Sequence, residues 1–135
     1  MMPTFGITAS GKATQIIEFK WEQVNSVLPQ ISGWVLYGSV TSGSGYVKIK
    51  DIQYSPITPD PTTTETTFSA KVTLSVIGTV GVVIKRYYVL TSKNIIDGGE
   101  FSGAESIYSN EVTIEFKPMP TPGNLNVKPK NLQVN

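Results

Sequence analysis

Residues 82–92 read Val-Val-Ile-Lys-Arg-Tyr-Tyr-Val-Leu-Thr-Ser, and the reading of this stretch decides the fold. β-Branched and aromatic residues dominate it and neither glycine nor proline interrupts it, the composition of a strand with neighbours on both edges. It is expected to be the strand on which both of its neighbours pair. Immediately upstream, Gly78-Thr-Val-Gly81 supplies a turn. Before that turn, Phe68, Ala70, Val72, Leu74 and Val76 alternate with Ser69, Lys71, Thr73 and Ser75. A period of two marks a strand with one face on a core. Downstream, residues 94–106 read as a long glycine-containing loop. Val112, Ile114 and Phe116 then alternate with Glu111, Thr113 and Glu115 as a last strand.

The same period continues outward. Ile17, Phe19 and Trp21 alternate with Glu18, Lys20 and Glu22, and Trp34 and Leu36 alternate with Val35 and Tyr37. Residues 24–31 have helical spacing over two turns only, and Pro29 would break a helix, so a loop with one helical turn is expected. A turn at Thr41-Ser-Gly-Ser-Gly45 leads to a partner strand with Tyr46, Val47 and Ile49. Residues 54–67 hold three prolines and read as an exposed loop, and residues 4–10 read as a short edge strand with Phe5 and Ile7 on one side. Seven short strands at such spacing argue for an all-β, two-sheet sandwich, with Trp21, Trp34, Leu36, Leu74 and Val112 expected in its core.

Composition agrees and removes several functions. The chain has 135 residues, the size of one domain with some tail to spare. Charged residues are 16% of the total, against ~25% in an average soluble domain. Lys plus Arg is 11 against 10 for Asp plus Glu, and no basic run exists, so neither nucleic acid nor an anionic membrane is expected as a partner. No stretch approaches the ~20 apolar residues of a membrane span. The first residues lack a basic segment followed by an apolar one, so synthesis and folding in a cytoplasm are expected.

Three segments taken together narrow the fold further. Phe19-Lys-Trp-Glu22 ends one strand, Ile31-Ser-Gly-Trp-Val-Leu-Tyr-Gly38 opens the next, and Tyr108-Ser-Asn-Glu-Val112 opens the last after a glycine-containing loop. In that order and at those separations the chain resembles a fibronectin type III domain over roughly residues 5–116. The resemblance implies a seven-stranded immunoglobulin-like sandwich in which Trp21 and Trp34 have structural roles. One departure stands out: counting back from Ser92 puts Arg86 where the family has a tyrosine, and a bulge near Lys85 would restore Tyr87 or Tyr88 to that place. Cysteine-free modules of this kind, with this Tyr-Ser-Asn-Glu-Val form, resemble those of bacteriophage structural proteins. That resemblance implies a virion component, such as a head-decoration, neck or tail subunit, made in a host cytoplasm. Its partners would be other protein subunits or further copies of itself.

With no histidine and no cysteine, the commonest general base, the commonest zinc ligands and the Cys and Ser-His nucleophiles are all missing. Asp97, Glu100 and Glu105 share one loop but lack the spacing of a calcium loop and read as solvated. No catalytic residue, metal or other cofactor is expected. Exposed aromatics are the better candidates: Tyr37, Tyr46, Tyr54 and one of Tyr87 or Tyr88 are expected on an outer face or loop. There a ring can stack on a sugar or anchor a protein. A glycan-binding or spacer module of a secreted or cell-surface bacterial protein is therefore the alternative reading, beside the plainer one in which the tyrosines are surface cross-strand pairs.

The domain is taken as residues 1–117 and the rest, residues 118–135, as a proline-rich extended arm. Pro118, Pro120, Pro122 and Gly123 precede two near-repeats, Asn124-Leu-Asn-Val127 and Asn131-Leu-Gln-Val134, around Lys128-Pro-Lys130. Leu125, Val127, Leu132 and Val134 have nothing of their own to pack against. Such an arm gains stability by adding as a strand to another copy or another protein. A linker, or the first strand of a following module, fits the same residues equally well.

Overall fold

The computed structural model describes residues 9–95, 104–123 and 125–127. Among the described residues six strands follow one another: β1 (Ser10–Val24), β2 (Ile31–Ser39), β3 (Val47–Gln53), β4 (Glu65–Thr79), β5 (Ile84–Asn94) and β6 (Val112–Phe116). One 3-10 turn, Asn25–Gln30, joins β1 to β2 and contains Pro29. The protein is all-β, with two antiparallel sheets, one ordered β1-β4 and the other β3-β2-β5-β6. The expected first strand, residues 4–10, lies outside the described residues but for its last two, and of these Ser10 opens β1.

β5 pairs with β2 on one edge and β6 on the other, as its uninterrupted composition requires. Val82 and Val83 fall outside it, in a turn closed by the Val82 amide donating to Thr79 O at 3.1 Å. Gly81 makes that turn at φ +80°, a conformation other residues rarely adopt. The β5–β6 register runs without a shift through Lys85, so no bulge restores a tyrosine there. Tyr88 instead reaches the core by plain alternation and meets Phe19 edge-on at 5.6 Å.

The main core is Ala13, Leu36, Val72, Leu74, Val76, Tyr88 and Phe116, all buried, with Ile17, Phe19, Ile84 and Ile114 packed against it. Beside it, Trp34 is buried within an aromatic group of Trp21, Tyr54 and Phe68, at ring separations of 5.1, 5.6 and 4.7 Å. Trp21, Trp34, Leu36 and Leu74 thus belong to the interior. Val112 does not: it is 40% exposed. It lies on the inward face of β6, but a two-stranded sheet is too narrow to cover the end of a four-stranded one.

The body also extends past residue 117. Pro118 is fully buried, its carbonyl accepts the Gly81 amide at 3.0 Å, and Met119 exchanges both backbone hydrogen bonds with Lys12 at 3.1 and 3.2 Å. The last residue of β6 thus leads the chain across from the large sheet to the edge of the small one. Gly11 permits this approach, because a Cβ there would stand 2.4 Å from the Met119 carbonyl oxygen. Packing against the body therefore continues at least to Met119.

Candidate functional site

Two features on opposite sides of the large sheet are candidates. The first is a tyrosine cluster. Tyr37 points away from the core because Leu36 points into it, and a register shift between Leu36 and Tyr37 loosens β3 from β2 at this point. Tyr46 follows the β2–β3 turn, whose Gly43 and Gly45 take φ values of +86° and +73°. Between these two rings stands Tyr108, edge-on to Tyr37 at 5.5 Å and to Tyr46 at 4.9 Å. Residues 104–110 reach this place without forming a regular strand. Serine hydroxyls stand in for part of the missing ladder: Ser106 Oγ accepts the Ser92 amide at 3.0 Å and Ser109 Oγ accepts the Leu90 amide at 2.9 Å.

Each flanking tyrosine donates to a carboxylate. Tyr37 Oη donates to Glu105 Oε1 at 2.5 Å, which also accepts Thr91 Oγ1 at 2.7 Å. Tyr46 Oη donates to Glu111 Oε2 at 2.5 Å, and the same carboxylate accepts Ser42 Oγ at 2.6 Å and the Gly43 amide at 2.8 Å. Hydrogen bonds to an ionised group favour its ionised form. The hydroxyls of Tyr37 and Thr91 hold Glu105 below the usual glutamate range, and Ser42, Tyr46 and the Gly43 amide do the same for Glu111. Reciprocally, the bond to Glu105 and partial burial push the Tyr37 phenol up to about 12, and the bond to Glu111 raises Tyr46. At neutral pH the rings are held as neutral donors on anionic acceptors.

A lowered folded-state pKa contributes stability above the ordinary glutamate value and loses it as pH falls through the folded value. The Tm should therefore fall on acidification below about 4.5, the ordinary value from which Glu105 is lowered. Glu105→Gln should flatten that part of the profile while leaving the rest of it in place. Thermal melts between pH 7 and pH 3 measure both curves; because the pair is solvent-exposed, the difference should be small. Coincident curves would show that the Tyr37–Glu105 bond is not formed in solution.

Of the tyrosines expected on this surface, Tyr37 and Tyr46 belong to the cluster and Tyr54 does not. Tyr54 packs edge-on against Trp34 and Phe68, and its hydroxyl accepts the Ile57 amide at 3.2 Å. A tyrosine placed just beyond a strand is oriented by its loop, which period-two reading cannot see. Tyr87 is half-buried. Tyr108, Glu105 and Glu111 complete the cluster, and no sequence periodicity signals any of the three. Asp97 and Glu100 lie outside the described residues, and among those described no group of three acidic residues is placed to hold a metal ion.

The second feature is the seam between β1 and β6. A cleft of about 240 Å³ opens there, lined by Phe19, Trp21, Leu36, Tyr88, Leu90 and Val112. Elsewhere along the seam Gln15 Nε2 donates to the Glu115 carbonyl at 2.9 Å, linking β1 to β6. The Trp21 indole nitrogen is buried without a hydrogen-bond partner, a situation that costs about 1–3 kcal/mol. Of the arm residues, Leu125 and Val127 are 93% and 85% exposed, and Leu132 and Val134 lie outside the described residues. Compared with protein-family models, with curated proteins and with solved structures, the chain matches none.

Proposed function

We propose that this protein is a non-enzymatic assembly subunit: a fibronectin type III-like sandwich that docks through its surface and its carboxyl-terminal arm, as a component of a bacteriophage virion. The observation that carries the assembly part is the exposure of Leu125 and Val127, 93% and 85%, six and eight residues beyond the Met119–Lys12 pair. Two apolar side chains held in water two residues apart have no role in the stability of their own body, and an added strand would bury both on one face. The division into a small sheet of β1 and β4 and a large one ordered β3-β2-β5-β6 supports the sandwich type, and the virion rests on the resemblance of the Tyr108–Val112 segment. Replacing Leu125 and Val127 together by Asp should abolish concentration-dependent association, followed by size-exclusion chromatography, with the melting temperature unchanged. Undiminished association of that variant would remove the arm from the mechanism.

A second reading is favoured by one feature. Tyr37, Tyr46 and Tyr108 form a fixed aromatic group beside two carboxylates, and sugars are bound by rings that cover their apolar faces while carboxylates accept their hydroxyls. In that reading Tyr108→Ala weakens retention on a polysaccharide column, and unchanged retention rules the surface out.

A further inference from the structure

We propose that the arm of one copy adds as a strand to the free edge of β1 in a second copy, placing its apolar side chains over the cleft between β1 and β6. This rests on the assembly reading above and adds to it the receptor. Lys12 gives both its amide and its carbonyl to Met119, so Lys12 faces away from β4. The β1–β4 register has no shift along its length. By the period of two, Thr14, Ile16, Glu18, Lys20 and Glu22 therefore direct their backbone groups to the same side. None of these has a backbone partner there among the described residues. An uncovered run of amides and carbonyls along a fifteen-residue strand is a template for another strand.

The cleft that adjoins that edge offers Phe19, Trp21 and Val112 to apolar side chains and Lys20, Glu22, Ser109 and Asn110 to polar ones. Phe19 and Trp21 are half-buried at the cleft, Val112 stands partly bare across it, and the Trp21 indole N–H is buried with no acceptor. An incoming backbone carbonyl is the kind of group that would satisfy it.

The arm of a second copy is the occupant for three reasons. First, direction: Met119 pairs antiparallel to Lys12, so the chain beyond it heads towards Ser10 and away from the open stretch Ile16 to Glu22. Second, pattern: Leu125 and Val127, like Leu132 and Val134, are two residues apart, so an added strand turns both to one face. Third, charge: the arm carries Lys128 and Lys130, while β1 offers Glu18 and Glu22 with Lys20 between them. The opposite seam, between β3 and β4, has a cleft of its own, lined by Val47, Ile49 and Leu74, but the cation of Arg86 lines it too. A basic arm is repelled there. Because arm and edge are different surfaces, the contact is head-to-tail and generates rings or filaments.

Amide hydrogen exchange read by NMR on the full chain, dilute and concentrated, tests this. On association, protection should rise together at Ile16, Glu18, Lys20 and Glu22, while their neighbours Ile17, Phe19 and Trp21, already bonded to β4, stay as they were. Lys20→Pro removes one edge donor that the body does not use. It should weaken association by about tenfold or more, the cost of one lost hydrogen bond with its partner left unpaired. Association without new protection at those four amides overturns the receptor and leaves the arm reading standing. Protection already complete in the dilute monomer overturns it as well, since the edge is then covered within one chain. Absence of association at every concentration overturns both readings.

Discussion

Phe116→Ala is expected to lower the unfolding free energy by about 3–5 kcal/mol, the usual cost of emptying a buried aromatic site. Phe116 is 1% exposed, ends β6 opposite Ile84, and sits in the cluster formed by Leu36, Val72, Leu74, Val76 and Tyr88 from both sheets. Its removal opens a void at the point where the two sheets are tied together and from which Pro118 and Met119 cross to β1. Against a total of about 5–15 kcal/mol for a domain, the loss is a large share. Urea unfolding should give a much lower midpoint with the same slope. Val112→Ala, on the same face of the same strand but 40% exposed, should cost no more than about 1 kcal/mol. Equal effects at the two positions would mean that the cleft beside Val112 is closed in solution.

Trp34→Ala should be comparably damaging, again about 3–5 kcal/mol, for a different reason. Trp34 is 3% exposed and is the ring that Trp21, Tyr54 and Phe68 all touch. Its indole N–H donates to Gln23 Oε1 at 3.0 Å, tying β2 to the end of β1. Trp34→Phe keeps most of the packing, lacks the donor and should lose less than half as much. Near-UV circular dichroism should weaken strongly in the alanine variant, because Trp34 itself is gone and Trp21 is left with Phe68 alone, at 6.3 Å. A retained aromatic signal with unchanged stability would contradict the aromatic group as the second half of the core.

Much of this architecture is legible in the residues because burial and period coincide. Val72, Leu74 and Val76 alternate in the sequence and are buried in β4, and the strand free of Gly and Pro pairs on both edges. The 3-10 turn at Pro29 follows from helical spacing with no room for a helix. The rest is set by what faces each element. β1 begins at Ser10, well before the alternating run, with small residues at its first inward positions: Gly11, where Met119 approaches too closely for any side chain, and Ala13 in the core. Small residues of that kind carry no period-two signal. β4 likewise takes in Glu65, Thr66 and Thr67, whose polar side chains hide a strand that pairs with β1 through Val24. Val112 has the right face and the wrong cover, and Pro118 is packed although a proline cluster reads as a linker. Of the tyrosine cluster, Tyr37 and Tyr46 follow from alternation. Tyr108 and its carboxylates depend on serine side chains replacing backbone acceptors, which no periodicity encodes.

The account stands or falls on the arm, and molar mass by light scattering across a range of concentrations tests it most directly. The comparison is the full chain against a version ending at Gly123. Ending there, and not at Lys117, keeps the buried Pro118 and the Met119–Lys12 pair intact, so a change in mass cannot be ascribed to a damaged body. The account predicts that the full chain grows beyond a single chain's mass with concentration while the shortened one stays monomeric. A full chain that remains monomeric throughout, or a shortened one that associates equally, would contradict it.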